Sequence, residues 1–170
     1  QVSGGVGEII LDRPKALNAL DQTMVDDMFP VLTAWADDPA IELVLVTSAS
    51  DRAFCAGGDI RAIRDAAVAG DHASVTRYFS AEYELDQLIA EYPKPYVAIM
   101  DGIVMGGGVG LSAHGRHRVV TEKTKLAMPE VGLGFFPDVG ALFHLARTPG
   151  RIGTRLALTG MTIDGADAVA

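Results

Sequence analysis

Basic charge, cysteine and long apolar runs are what this 170-residue chain has least of. Its 14 Lys and Arg stand against 22 Asp and Glu, a formal net charge of −8 at pH 7 with His neutral. That balance opposes the phosphate neutralisation on which nucleic-acid binding rests, and it opposes attraction to anionic membranes. A single cysteine, Cys55, excludes an internal disulfide and fits a reducing compartment. No stretch of about 18 apolar residues exists, so no transmembrane helix is indicated. The expected partners include neither nucleic acid nor membrane. The expected location is the cytoplasm, or the mitochondrial matrix in a eukaryote.

What is present is ordinary globular chemistry with an excess of glycine. Hydrophobic residues make up 49% and charged residues 21%, enough for one domain with a real core, and there are 19 glycines. The apolar run Val6–Leu11 predicts a strand ended by Asp12-Arg13-Pro14. Asp21 suits an N-cap, and Met24, Met28, Leu32 and Trp35 follow at helical spacing, with a kink or early break expected at Pro30. Ile41–Thr47 and Tyr96–Met100 read as buried strands. Helices are expected from near Asp59 toward Gly70, over Ser74–Glu91, after Gly108, and over Val139–Ala146 and Gly150–Leu158. Arg118–Thr121 and Lys125–Met128 read as short strands. Ser48–Gly58, Asp101–Gly108 and Gly134–Pro137 read as loops. Alternation of strand and helix predicts an α/β domain with largely parallel strands. The chain opens on Gln1 and ends on Asp164-Gly-Ala-Asp-Ala-Val-Ala170, which reads like the start of another helix. One domain over residues 1–170, truncated at its C-terminus, is therefore expected.

Two glycine loops follow the two most apolar strands: Ala53-Phe-Cys-Ala-Gly-Gly-Asp59 and Gly102-Ile-Val-Met-Gly-Gly-Gly-Val-Gly110. Each leads toward a helix start, where free N–H groups and positive partial charge collect. Facing one another, two such loops would make an oxyanion hole. Tight turns alone would also account for the glycines. Gly108-Val-Gly110-Leu-Ser-Ala113 fits a relaxed dinucleotide-binding spacing, but Asp101 to Met105 intervene between strand and glycines, where that fingerprint wants none.

Ala53-Phe-Cys-Ala-Gly-Gly-Asp-Ile60, Asp101-Gly-Ile-Val-Met-Gly-Gly-Gly108 and Met128-Pro-Glu130 resemble, in order, the signature of the enoyl-CoA hydratase/isomerase (crotonase) superfamily. Arg13-Pro-Lys-Ala-Leu-Asn-Ala-Leu20 is similar to its CoA-contacting turn. The resemblance implies a crotonase-type spiral of ββα units, assembly as a homo-oligomer (trimer or hexamer), and oxyanion donors at the Gly58 and Gly107 N–H groups. It implies an acyl-CoA substrate, with contacts around Leu17 and from Ala56 through Asp59 to Ile60. No cofactor is implied beyond coenzyme A as part of the substrate. Because the chain is acidic, local cations must meet the phosphates: Lys15, Arg13, Arg52 and Arg61 are the candidates.

Hydratases of that superfamily usually carry one Glu three residues after the second oxyanion glycine and another in the Pro-Glu motif. Here the first position is Gly110, and only Glu130 remains. A further carboxylate, Asp138, follows in Met128-Pro-Glu-Val-Gly-Leu-Gly-Phe-Phe-Pro-Asp-Val-Gly140. This segment is similar to the 3-hydroxyisobutyryl-CoA hydrolase branch, as is Leu158-Thr-Gly160 with Asp164-Gly-Ala-Asp167. That likeness implies a Glu130/Asp138 catalytic pair and hydrolysis of a short 3-hydroxyacyl-CoA thioester. Hydration or isomerisation of an enoyl-CoA is the alternative, and non-catalytic acyl-CoA binding a second one. Asp138 also suits an N-cap for the following helix. Ser112 lacks the glycine frame of a nucleophile elbow, Cys55 reads as a packed residue, and His72 and His144 read as surface or packing residues. His114 and His117 have no third ligand at metal-site spacing, so no metal is expected.

Overall fold

The computed structural model describes residues 1–169. A two-residue strand, β1 (Val2–Ser3), folds back antiparallel on β2 (Val6–Leu11). Helix α1 (Gln22–Asp37) follows, and its N-cap Asp21 accepts a hydrogen bond from the Met24 N–H. Three strand pairs come next: β3 (Leu43–Ser48) with β4 (Ala53–Cys55), β5 (Tyr96–Met100) with β6 (Ile103–Met105), and β7 (His117–Val120) with β8 (Lys125–Ala127). Helices α2 (Ile60–Val68) and α3 (His72–Ala90) follow the first pair, and α4 (Gly107–Ala113) the second. After the third come α5 (Ala141–Leu145), α6 (Ile152–Thr159), the short β9 (Ile163–Asp164) and α7 (Gly165–Val169).

Each pair splits between two sheets. The first sheet runs β1-β2-β3-β5-β7 and the second β4-β6-β8-β9. All neighbours are parallel except β1 with β2 and β8 with β9. The chain thus advances one strand in each sheet per turn and then adds a helix, a spiral of ββα units. Hydrophobic burial explains the first sheet: Val44, Val46, Ala98 and Met100 point into one core with Leu32, Leu85 and Leu111.

Several sequence expectations are corrected. Ser48–Gly58 and Asp101–Gly108 are not wholly loop, because each contains a three-residue strand of the second sheet. Pro30 does not break α1. It removes one backbone donor, while Met28 and Leu32 on either side of it are buried and hold the helix on the core. The helix expected from Val139 starts at Ala141, since Val139 (φ 45°) and Gly140 (φ 69°) are both left-handed. The chain end does turn helical at Gly165, and Ala170 lies outside the described residues.

Candidate active site

Strand register sets the site. In the second sheet Cys55 pairs with Val104, and Met105 with Ala127. Three parallel strands therefore end close together and release Ala56-Gly57-Gly58, Gly106-Gly107 and Met128-Pro129-Glu130 side by side. Gly57 (φ 101°) and Gly106 (φ 49°) adopt backbone that L side chains rarely take. A Cβ on Gly107 would lie 3.4 Å from the Gly58 nitrogen and would strike the Glu82 carboxyl. Among the described residues neither the Gly58 nor the Gly107 N–H donates to a protein acceptor, and Gly107 opens α4, where no intrahelical partner exists. Both glycines border a cavity of about 290 Å³ whose wall also includes Tyr78, Glu82, Glu130 and Asp138.

Four carboxyl groups gather around these glycines. Glu130 begins a 3₁₀ turn, Glu130–Leu133, and is 8% exposed. Its Oε2 has no hydrogen-bond partner. Burial, then the charge of Asp138, pushes its carboxyl up to about 7. Burial likewise raises the Asp138 carboxyl, against the opposing Tyr83 hydroxyl, which donates to Asp138 Oδ2 at 2.6 Å. Asp138 therefore does not cap α5: its side chain turns to Tyr83, and only its carbonyl accepts the Ala141 N–H, at 2.8 Å.

The other two, Glu82 and Asp86, escaped the sequence reading. Tyr78, Glu82, Leu85, Asp86 and Ile89 form the buried face of α3, so two acids occupy core-facing positions of an amphipathic helix. An acidic pair at i, i+4 within that apolar stripe was the signal available. Glu82 is 3% exposed, and burial followed by the charge of Asp138 raises it to about 7. The Tyr78 hydroxyl lies 3.2 Å from both the Leu20 carbonyl and Glu82 Oε1. One hydroxyl proton serves one acceptor at a time, and when it goes to Glu82 it favours the charged carboxyl, against the burial that raises it. Asp86 is 5% exposed with both oxygens unpartnered, and burial followed by the charge of Glu82 raises it to about 9. It fills the space beside Gly110, where an added Cβ would meet Asp86 Oδ1 at 2.6 Å.

A second concavity, of about 690 Å³, adjoins the first and shares Gly58 and Ile60 with it. Lys15, Leu17, Asp59 and Arg61 line it, whereas Ala56 faces the inner cavity. The turn beneath is built on Leu17 (φ 52°) and Asn18 (φ 54°). Buried Asn18 donates to Ser48 Oγ at 2.8 Å and to the Phe54 carbonyl at 3.0 Å, and its Oδ1 accepts the Arg13 N–H at 2.8 Å. The turn is thereby stapled to β4. Arg13 bridges Asp59 at 2.8 Å and Asp21 at 3.3 Å. Partial burial alone would raise the Asp59 carboxyl, but the Arg13 guanidinium and the Ala62 N–H hold it below its usual range. Lys15 and Arg61 remain as exposed cations at this groove, and Arg52 does not line it.

Other candidates lie apart from this chemistry. Cys55 is fully buried, which pushes its thiol up to about 12. Ser112 Oγ donates to the Gly108 carbonyl at 2.7 Å inside α4. His117 is exposed on β7 while His114 contacts the Val139 carbonyl, and among the described residues no cluster of three potential ligands could hold a metal.

The ββα spiral with its paired glycine loops is the crotonase-type α/β fold. A solved structure titled carnitinyl-CoA dehydratase, from Mycobacterium thermoresistibile, superposes with a TM-score of 0.96 at 54% identity, covering 99% of this chain and 49% of that one. An enoyl-CoA hydratase structure from Rhodobacter sphaeroides gives a TM-score of 0.95 at 48% identity, covering 98% and 49%. A profile of the enoyl-CoA hydratase/isomerase family matches residues 6–170, and the chain belongs to that family. Among curated relatives, the mitochondrial 3-hydroxyisobutyryl-CoA hydrolase of Gallus gallus is 54% identical over 168 residues, and that of Homo sapiens 48% over 164. The chain spans less than half the length of these relatives, 43% and 42%, while they match 98% and 96% of it.

Proposed function

We propose that this chain is the catalytic region of an acyl-CoA thioester hydrolase acting on a short 3-hydroxyacyl-CoA such as 3-hydroxyisobutyryl-CoA. The observation that carries the reading is the meeting of Glu130 and Asp138 with the Gly58 and Gly107 N–H groups on one cavity, where position 110 contributes no carboxylate. The substrate carbonyl sits between the two N–H groups, which strengthen their hold as its oxygen becomes an oxyanion. Glu130 either attacks the carbonyl carbon or takes a proton from a water that does. Collapse of the tetrahedral intermediate breaks the C–S bond and expels the CoA thiolate. With Glu130 as base, the thiolate takes the proton that Glu130 removed from water, and the acid is released directly. With Glu130 as nucleophile, the thiolate takes a proton from Asp138, and water then cleaves the Glu130 acyl anhydride to release the acid and regenerate the carboxylate. Asp138, held by Tyr83, and Glu82 orient the substrate hydroxyl. Lys15 and Arg61 meet the CoA phosphates, and no cofactor beyond CoA takes part.

The names of the curated relatives support this reading. The two solved structures, named a carnitinyl-CoA dehydratase and an enoyl-CoA hydratase, favour a second one, hydration or isomerisation of an enoyl-CoA by Glu130 alone or with Asp138. Assay of 3-hydroxyisobutyryl-CoA for free thiol, with crotonyl-CoA hydration in parallel, separates them; hydration without thiol release overturns the hydrolase reading. Glu130→Gln is expected to lower turnover by about 100-fold or more while CoA-ester binding by calorimetry stays within about threefold. Single-turnover reaction in ¹⁸O-water, with mass analysis of Glu130, distinguishes nucleophile from base.

Exposed Leu133, Phe135, Phe136, Leu142 and Phe143 support assembly into trimers or hexamers, which sedimentation equilibrium tests. No helix among the described residues is long and apolar enough to cross a membrane. We place the protein in the cytoplasm, or in the mitochondrial matrix of a eukaryote; the two curated relatives are named mitochondrial.

A further inference from the structure

We propose that His114 is a positioning residue for Asp138: its Nε2–H, bonded to the Val139 carbonyl, holds the left-handed turn that presents the Asp138 carboxyl to the cavity. The kinetic consequence rests on the hydrolase reading; the geometry does not. Val139 is a buried β-branched residue at φ 45°, a conformation such residues avoid, and Gly140 continues it at φ 69°. Something outside the turn must hold it there. The His114 ring packs against Gly140, where a Cβ would approach its Cε1 to 2.6 Å, and His114 Nε2 lies 2.7 Å from the Val139 carbonyl. A carbonyl only accepts, so Nε2 carries a proton. His144 Nε2 lies 3.3 Å from His114 Nδ1 and packs against the ring on its other side. Burial, the first of several causes, pushes the His144 imidazole down to about 4.

The turn has two faces. Asp138 and Val139 line the cavity with Gly58 and Gly107, and also a third cavity, of about 430 Å³, whose wall includes Asp86 and His114. Tyr83 bonds the Asp138 carboxyl itself, and His114 bonds the backbone of Val139 next to it, so side chain and turn are each held by a separate contact.

The test uses the natural protein with His114→Leu, which removes the donor, and His114→Gln, whose amide nitrogen falls where Nε2 lies. His114→Leu is expected to lower kcat by about 30-fold with KM within about twofold, and His114→Gln to return kcat to within about fivefold of wild type. In a Val139→Gly background, where the turn needs no restraint, His114→Leu should cost less than about threefold. Crystal structures of both His114 variants read the turn without turnover: the Tyr83–Asp138 bond should be lost in the Leu variant and kept in the Gln variant. Equal damage from Leu and Gln, undiminished loss in the glycine background, or an intact Tyr83–Asp138 bond in the Leu variant overturns the proposal. If wild type releases no thiol, the hydrolase reading fails and the two crystal structures decide this inference alone. If the Leu variant does not fold, His114→Asn, whose amide stops short of Val139, takes its place with the same expectations.

Discussion

Burial raises the carboxyls of Glu82, Asp86 and Glu130, and the charge of Asp138 raises all three further. On the proposed hydrolase reading, the consequence for Glu130 is catalytic. A base or nucleophile must be ionised, so kcat/KM should rise with pH and level off above about 7. Asp138→Asn removes the second cause of that elevation and should move the rising limb to lower pH, while lowering the plateau; a pH profile of thiol release reads both. For Asp86 the consequence is stability. Its folded-state carboxyl binds protons more tightly than the unfolded one, so its contribution is complete below about pH 4 and is lost as pH rises through about 9. Asp86→Asn cannot ionise. Its melting temperature relative to wild type should therefore climb from about pH 6 to about pH 9, by roughly 2–4 °C for each kcal/mol relieved. A difference that stays flat with pH would mean Asp86 ionises freely in the folded protein.

At the scale of elements, α1 shows how tertiary packing overrides a local rule. Pro30 is exposed within it and forfeits one hydrogen bond, to the Asp26 carbonyl, while Val25, Met28 and Leu32 are buried. Pro30→Ala restores that bond and frees the unfolded chain, two opposing effects of about 3 and about 1 kcal/mol. A net gain of about 1–2 kcal/mol is expected in urea unfolding. The same contrast explains what the sequence disclosed. Val6–Leu11 and Tyr96–Met100 were legible because runs rich in β-branched and apolar residues favour extended backbone. Glycine loops, Glu130 and Asp138 were legible through a family likeness carried by contiguous motifs. Ala53–Cys55 and Ile103–Met105 were not, because each sits against a glycine-rich turn that reads as loop and is fixed by pairing across the second sheet, with β6 held between β4 and β8. Glu82 and Asp86 were hidden for a related reason. Their helix announces an apolar face, but nothing local says that the face meets an oxyanion loop. The late start of α5 depends on two left-handed residues, one of them valine, which no propensity predicts.

Over the whole molecule, helices α3 and α4 compete for one place in the site. A hydratase of the family usually supplies its extra carboxylate from the position of Gly110, on α4. In this chain α3 has filled that space with Asp86. Restoring a glutamate at 110 should therefore fail by itself. Gly110→Glu forces its Cβ against Asp86 Oδ1 and sets a third acid beside Glu82 and Asp86, an overpacking cost of about 1–3 kcal/mol before any added charge. Asp86→Ala in the same chain removes both the obstructing oxygens and one buried acid. The double variant should recover most of the stability lost in Gly110→Glu, a coupling of at least about 1 kcal/mol in urea unfolding. Only in that double variant does the carboxylate carried by α4 have room in place of Asp86, so enoyl-CoA hydration should rise above the wild-type level there and not in Gly110→Glu alone. Additive stabilities would show that Asp86 does not occupy the place of the missing glutamate, and the contrast between thioester cleavage and alkene hydration would then have to be sought in Asp138.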